Sequence, residues 1–237
     1  MAKFTLMAKQ VKDFFGMVKE FNSETRLHIE PDKIYVNMVD ITNIAIIRAE
    51  IKVDTKTKKP IEFGLIINKL LAFIKVAKDT DPIEFEIAEH KKSLCIQMSY
   101  MDHVGKIRSE DINTIRRDAN SCKVSLPYTF LASGERIAEF FKMYPSPNGK
   151  FEVILKNKRV SFKTHNENGY MYETFVCNGP SGDAKSVFLS DYLKPAFMRM
   201  KKSMITVSMN TDHPIKLSTT ENDVAIEILM APRITAD

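Results

Sequence analysis

The sequence has few cysteines and no long apolar stretch. Its three cysteines, Cys95, Cys122 and Cys177, are widely spaced and form no CxxC pair, so neither a disulfide framework nor a zinc site is predicted. Such thiols are typical of a reducing, intracellular compartment. No segment approaches the ~18 consecutive apolar residues that a membrane-spanning helix needs, and no apolar signal region opens the chain. We therefore expect a soluble, cytosolic protein.

Motifs of catalysis are also missing. The sequence contains no GxxxxGK[ST] phosphate loop, no GxSxG elbow and no HExxH pair, and its five histidines are dispersed. The acidic pairs Glu84 with Glu86 and Glu221 with Asp223 could in principle hold a metal ion. However, Glu84 and Glu86 alternate with apolar residues, which is typical of a solvated strand face. We expect neither catalysis nor a metal or cofactor; a carboxylate-dependent nuclease is the enzymatic alternative.

The charge balance is only mildly basic. Lys and Arg number 35 against 30 Asp and Glu, which gives a formal net charge of +5 over 237 residues. This excess permits a polyanionic partner without demanding one. The length is sufficient for one large core or two modest ones, because domains cluster near ~100 to 150 residues.

The chain contains two similar halves. Residues 73–78, Phe-Ile-Lys-Val-Ala-Lys, are echoed by residues 197–202, Phe-Met-Arg-Met-Lys-Lys, and an alternating apolar segment follows each copy. Upstream, a hairpin that turns at Pro31-Asp32-Lys33 is echoed by one that turns at Asn157-Lys158. A basic helix before strands, present twice, predicts two α+β domains of similar topology.

Each half is predicted to contain two amphipathic helices. Residues 8–22 and 66–78 place their apolar side chains on one face at helical spacing. In the second half a strand at 122–126 is predicted to precede a helix that begins at Pro127 and ends near Met143. Ser190 is expected to cap the fourth helix, which Pro195 would kink or shift. Residues 106–120 are polar and aperiodic, so we divide the chain into domains 1–105 and 121–237 with a connector between them.

Lysine and arginine recur on the polar faces of all four helices. A single lysine-rich face is usually no more than a solvated surface, but its repetition favours contacts with the phosphates of a nucleic acid. Such contacts carry little sequence information and therefore permit sliding. A closed ring would retain the nucleic acid by topology where each contact is weak.

The carboxyl-terminal residues Leu229-Met230-Ala231-Pro232-Arg233-Ile234 resemble the Leu-Ala-Pro-Arg/Lys-Ile ending of proliferating cell nuclear antigen (PCNA), the sliding clamp of archaea and eukaryotes. Other segments are similar in the same order along almost the whole chain, with the archaeal members most alike. They are residues 34–46 with Met38-Val39-Asp40, the basic residues 75–78, Ser121-Cys122-Lys123-Val124, Ala184-Lys185-Ser186, Asp191-Tyr192-Leu193 and Asp212-His213-Pro214-Ile215.

This resemblance implies the DNA clamp fold: two similar domains per subunit, antiparallel sheets outside, and helices lining a trimeric ring around double-stranded DNA. Subunits would pair through edge strands near residues 100–107 and 170–176. The cations that the resemblance places towards DNA are Lys9, Lys12, Lys19, Lys75, Lys78, Arg136, Lys142, Arg199, Lys201 and Lys202.

The resemblance also implies an outer pocket beneath the connector for short peptide motifs of DNA polymerase, flap nuclease and ligase, besides contact with a clamp loader. By position, its residues are Val39, Asn43, Ile46, Ile115, Pro214, Leu229, Ala231 and Pro232. Buried apolar anchors usually dominate such binding, so the apolar members are expected to matter most.

The sequence departs from the family pattern at the connector. Relatives usually have an acidic, proline-bearing segment there, whereas this chain has Lys106, Arg108, Arg116 and Arg117. Val39 replaces a common methionine and Leu229 an aromatic residue. The basic connector favours partners with acidic flanks. A checkpoint-type clamp, one subunit of a heterotrimer, and a non-ring nucleic-acid-binding module remain alternatives.

Overall fold

The computed structural model describes residues 1–90, 92–143, 149–166, 169–175 and 182–233, with only the backbone of 165, 166 and 169–175. The chain divides into two compact units. Unit 1 comprises Met1–Asn120 with Thr220–Ile226, and unit 2 comprises Ser121–Thr219 with Glu227–Asp237.

Unit 1 has the element order βαββββαβββ. Its elements are β1 (Ala2–Met7), α1 (Ala8–Lys19), β2 (Glu24–Glu30), β3 (Lys33–Val39), β4 (Ala45–Lys52), β5 (Ile61–Ile66), α2 (Ile67–Ile74), β6 (Pro82–His90), β7 (Ser93–Tyr100) and β8 (His103–Arg108). The strands form two antiparallel sheets, in the orders β1-β6-β7-β8 and β5-β2-β3-β4.

The second half of the chain repeats this order. Its elements are β9 (Tyr128–Ser133), α3 (Gly134–Met143), β10 (Lys150–Lys156), β11 (Arg159–Asn166), β12 (Gly169–Phe175), β13 (Ala184–Leu189), α4 (Ser190–Arg199), β14 (Met204–Met209), β15 (Ile215–Glu221) and β16 (Val224–Met230). The sheet orders are β9-β14-β15-β16 and β13-β10-β11-β12. Adding 8 to each strand number in the two sheets of unit 1 gives the two sheet orders of the second half. This correspondence confirms the predicted duplication.

Each unit buries the apolar faces of its two helices. In unit 1, Phe14 and Phe15 of α1 contact each other edge to face, with ring centroids 4.8 Å apart. Phe140 and Phe141 occupy the same two positions of α3. They belong to a fully buried cluster of rings with centroids 4.9 to 6.5 Å apart, completed by Phe151, Phe162 and Phe197. This burial leaves the opposite helix faces to solvent.

The structure corrects the prediction for the start of the second half. Residues 122–126 form no strand, and Pro127 does not open a helix. Residues 128–133 are β9, which pairs with β14 from Tyr128 opposite Met209 to Ser133 opposite Met204. The burial of Phe130 against this partner decides the strand conformation, a long-range contact that local spacing does not reveal.

Helix ends also differ from the predicted ones. The second helix ends at Ile74, so Lys75 and Lys78 follow it, and α1 ends at Lys19. Leu189, rather than Ser190, is the residue before α4, and α4 continues through Pro195. The helix tolerates this proline because its buried face, with Ala196 and Phe197 fully covered, holds it against the unit. The strand β5 was not predicted. Strand β8 coincides with the edge strand that the resemblance placed near residues 100–107, and it covers the first residues of the expected connector.

Gly134 provides a test of the packing in unit 2. A Cβ atom at this position would lie 2.1 Å from the Met200 carbonyl oxygen. We expect Gly134→Ala to lower the free energy of unfolding by about 1–3 kcal/mol, measured by chemical denaturation, because backbone must shift to admit the methyl group. Glu139→Ala, an exposed substitution in the same helix, should change it by less than about 0.5 kcal/mol. Equal stability of the two variants would contradict this packing.

Candidate functional site

Two of the predicted DNA-facing cations of unit 1 are engaged by carboxylates. Lys9 Nζ lies 2.6 Å from Asp13 Oδ2 and 3.5 Å from Glu221 Oε1. Burial by itself lowers the pKa of Lys9, but hydrogen bonds and charges from Asp13 and Glu221 outweigh it and raise this pKa above its ordinary value. Lys12 Nζ donates to the Ala77 carbonyl at 2.6 Å and to Asp79 at 3.0 Å. The positive charge of α1 is therefore partly neutralised within the unit.

The remaining cations of unit 1 lie at the ends of its helices. Lys19 is the last residue of α1, and Lys75 directly follows α2; both are exposed. Lys78 lies in the next turn, where its amide donates to the Asp81 carboxylate at 2.7 Å. Tyr100 donates a hydrogen bond to the same carboxylate, and these two bonds hold the pKa of Asp81 below its ordinary value.

In unit 2 the predicted cations lie on exposed surface. Arg136 and Lys142 are on α3, Arg199 closes α4, and Lys201 and Lys202 occupy the turn that follows.

Three of these lysines converge on an open cavity of about 570 Å³. Within the described residues, none of the three is in an ion pair. The cavity is lined by Lys142, Lys201 and Lys202 together with Ser133, Glu135, Ala138, Glu139, Ser203 and Met204. Its net positive lining can accept an anionic group such as a phosphate.

The predicted peptide pocket has four members in unit 1, and the structure places three of them on one strand pair and its loop. Val39 and Ile46 face each other across β3 and β4 and are both half-buried. Asn43 is exposed and has a positive φ of 62° in the loop between these strands. Ile115, in contrast, is only 3% exposed. Ile115 is thus an internal apolar contact of the connector, and a charge there would disturb folding as well as binding.

Asp40 organises the loop at the end of β3, and the sequence prediction omitted its role. Its carboxylate is 2% exposed and accepts the amides of Thr42, Ile44 and Ala45 at 3.1, 2.7 and 2.7 Å, as well as the Thr42 hydroxyl. A buried carboxylate needs such donors. The loop is therefore fixed by one side chain.

Polar side chains of β2 and β3 fasten the connector to the sheet, and the sequence prediction missed them as well. The Arg26 guanidinium donates to the carbonyls of Ile112 and Ile115 at 2.7 and 3.0 Å. His28 contacts Asp118 at 2.9 Å. Strand alternation could have identified Arg26 and His28, because they share the face opposite the buried Leu27 and Ile29.

Further bonds complete this fastening. The Asn37 side-chain amide donates to the Ala119 carbonyl at 2.9 Å, and the Ala119 amide donates to the Asn37 backbone carbonyl at 3.1 Å. At Gly64 the connector approaches so closely that a Cβ atom would lie 2.6 Å from the Glu110 carbonyl oxygen. Hydrogen bonds thus hold the connector to the sheet beside the buried contact of Ile115.

The other four predicted pocket residues lie in unit 2. Pro214 is half-buried, and Leu229 is buried near the end of β16. Ala231 is exposed and Pro232 is half-buried. The Arg233 amide donates to the Val187 carbonyl at 2.7 Å, which holds the segment after β16 beside β13. Ile234, the last residue of the tail motif, lies outside the described residues.

The predicted subunit-pairing segments coincide with outermost strands. β8 is at the end of its sheet in unit 1, and β12 is at the end of its sheet in unit 2. Val176, the end of the second predicted segment, lies outside the described residues.

No group of three or more His, Cys, Asp and Glu side chains that could hold a metal ion occurs in the described part of the chain. Of the acidic pair on β6, Glu86 forms an ion pair with Lys3 at 3.0 Å. Among the described residues, no helix is long and apolar enough to cross a membrane.

No family model matches the chain. Proteins named DNA polymerase sliding clamp from Methanocorpusculum labreanum and Methanoregula boonei are each 27% identical to it, over the full length of both chains. Among solved structures, A. fulgidus PCNA bound to the C-terminal region of FEN-1 has a TM-score of 0.89 at 16% identity and covers all of both chains. The PCNA2–PCNA3 complex of Sulfolobus tokodaii gives 0.82 at 13% identity, covering 98% of this chain and 99% of the other.

The loop at the end of β3 can be tested through Asp40. We expect Asp40→Asn to lower the free energy of unfolding by about 1–3 kcal/mol, because the amide group replaces one acceptor oxygen by a donor that faces backbone amides. Hydrogen exchange at Ile44 and Ala45 should become faster. Asp32→Asn, in an exposed turn, is the matched control. Unchanged exchange in Asp40→Asn would contradict the organising role of this carboxylate.

Proposed function

Since the chain is a DNA sliding clamp of the PCNA family, we propose that three copies close into a ring around double-stranded DNA. The observation that carries this proposal is the duplicated topology, in which β8 of unit 1 and β12 of unit 2 each lie at the end of a sheet. Exposed strand edges invite pairing with another chain. Pairing β8 of one copy with β12 of the next is a head-to-tail contact, which gives a closed ring when the rotation closes.

Exposed apolar residues on and beside β8 support the proposal that a strand of another copy covers this edge of the sheet. Met101, in the turn before β8, and Val104, on the strand, are exposed by 77% and 60%. Apolar side chains of this size are stabilised when a partner strand covers them.

The helices would meet the DNA through its phosphates. Lysine and arginine contacts to phosphates are independent of base sequence, so the ring would slide along the duplex. The ten cations that the sequence analysis assigned to this surface are proposed to act together, and those of the unit 2 cavity are proposed to contribute most, because their charges are not paired with carboxylates in the described residues.

The pocket residues around Val39 and Ile46 of unit 1 are proposed to receive short peptide segments of DNA polymerase, flap nuclease, ligase and clamp loader. The peptide-bound A. fulgidus structure supports this for the flap nuclease. The chain would act in the cytosol, in replication and repair, by tethering enzymes and without catalysis of its own.

A heteromeric clamp is the second candidate. The Sulfolobus tokodaii neighbour is a complex of two different PCNA chains. In that arrangement this chain would use one edge strand for each of two paralogous partners.

Assembly and encirclement can be tested together. We expect light scattering of the purified chain to give the mass of three subunits. Clamps placed on a nicked circular duplex by a clamp loader should be retained, and they should escape when the circle is linearised, because retention is topological. Equal retention on linear and circular DNA would contradict encirclement, and a monomeric mass would favour the heteromeric candidate.

The charge distribution of the DNA-facing surface leads to a second prediction. We expect replacement of Lys142, Lys201 and Lys202 by Ser to weaken binding to a short duplex about tenfold or more and to reduce the slope of log K against log salt by up to about 2 to 3. The Lys9→Ser, Lys12→Ser variant should lose less, because its carboxylate partners already neutralise those charges.

Fluorescence anisotropy at several salt concentrations measures both effects. Replacing Lys52, Lys58 and Lys59 by Ser removes the same total charge from an exposed region and serves as the control. A triple-Ser cavity variant that binds as tightly as this control would contradict the assignment of the cavity.

A further inference from the structure

The charges of the connector are separated between its two sides. Its carboxylates bind groups of unit 1: Asp118 contacts His28 at 2.9 Å, and Glu110 contacts Lys69 at 2.9 Å. Asp111 accepts hydrogen bonds from the backbone and side chain of Asn113. Most of the negative charge of the connector is therefore satisfied by its own surroundings.

The arginines of the connector are directed to solvent. Arg117 is exposed and has no bonding partner among the described residues. Arg116 is also exposed, and its Nη1 donates to the Asp40 carbonyl, which places the guanidinium beside the peptide bond between Asp40 and Ile41. A guanidinium has five N–H donors, so the bond from Arg116 to the Asp40 carbonyl leaves other N–H groups of Arg116 able to donate.

An exposed apolar side chain lies in the loop that Arg116 contacts. Ile41 is 68% exposed at the tip of the loop between β3 and β4. The carboxylate of Asp40 points inward, so this loop presents no negative charge to solvent. Arg116 lies beside the loop that carries Ile41, and Arg117 is its neighbour in the chain; these three exposed residues, here called the arginine surface, combine an apolar side chain with two cations.

We infer that the arginine surface binds an acidic residue next to the apolar anchor of a partner peptide. This inference rests on the proposed function, because the peptide would belong to an enzyme that the clamp tethers. A guanidinium recognises a carboxylate through paired N–H donors, and Ile41 offers a contact for an adjacent apolar side chain. Such complementarity chiefly selects among partners and accelerates their association.

A peptide fits this surface better than a nucleic acid does. A nucleic acid is held by a row of cations along its backbone. Here the cations are few, two arginines that are neighbours in the chain, and an exposed aliphatic side chain that phosphates would not contact favourably lies beside Arg116.

The test uses a synthetic peptide of the C-terminal region of FEN-1, the region bound in the A. fulgidus complex. Two forms differ only in a pair of residues that flank the apolar anchor, which are Asp-Asp in one form and Lys-Lys in the other. By fluorescence anisotropy we expect the Asp-Asp form to bind the wild-type chain about five- to tenfold more tightly, with the difference shrinking as salt is added.

Arg117→Glu supplies the charge reversal. This variant should lose the preference for the Asp-Asp form and bind the Lys-Lys form more tightly than the wild type does. The control is Lys58→Glu, which makes the same change in charge in the exposed loop that contacts the turn before β3, at the opposite end of that strand from Ile41. It should keep the wild-type preference. Thermal denaturation checks that both variants remain folded.

The outcomes separate the inference from the proposed function. If both peptides bind equally well to the wild type, or if Lys58→Glu changes the preference as much as Arg117→Glu, the inference is overturned while tethering stands. If neither peptide binds, tethering and the inference fail together. If a single-stranded oligonucleotide leaves the Asp-Asp peptide bound to the wild type, the inference stands. Displacement overturns it: in favour of peptide binding at the cavity when the Lys142→Ser, Lys201→Ser, Lys202→Ser variant resists displacement, and in favour of a nucleic acid at the arginine surface when this variant does not.

Discussion

Burial of one apolar face on each helix is the constraint on which the rest of this structure depends. Phe14 and Phe15 in α1, and Phe140 and Phe141 in α3, occupy equivalent helix positions and are covered completely. A buried aromatic side chain contributes several kcal/mol, so the rotation of the helix about its axis is fixed. The opposite, polar face of the helix is therefore exposed to solvent. Lysine and arginine on that face thus lie on the solvent side of their helices.

The same constraint has different electrostatic results in the two units. Unit 1 provides Asp13, Asp79 and Glu221 beside Lys9 and Lys12, whereas unit 2 leaves Lys142, Lys201 and Lys202 around an open cavity. A clamp that slides needs positive charge but gains nothing from tight local binding. Unit 1 thus pairs Lys9 and Lys12 with carboxylates, whereas the three lysines of unit 2 share the lining of their cavity with Glu135 and Glu139. The connector separates its charges in a comparable way, with carboxylates bound inward and guanidiniums directed outward.

Much of the architecture could be predicted from the sequence, because short-range patterns determine it. The hairpin at residues 31–33, the helix from Ala8 and the duplication all follow from local alternation and helical spacing. The error at residues 128–133 has a specific cause: Phe130 is buried by pairing with β14, more than 70 residues away in the chain. The candidate site was only partly predictable. Strand alternation marks Arg26 and His28 as polar residues on one face, yet it does not show that the connector covers them.

The sequence by itself determined the amphipathic helices, the hairpins, the duplicated topology and the residues that carry charge, because each of these depends on local patterns along the chain. Only the tertiary structure decided which charges are available. Lys9 and Lys142 are both helix lysines on polar faces, and no local pattern distinguishes them. Glu221 lies more than 200 residues from Lys9 and neutralises it only because folding brings the tip of the β15–β16 hairpin into unit 1. Coulomb interactions depend on distance in space, and the fold alone sets that distance.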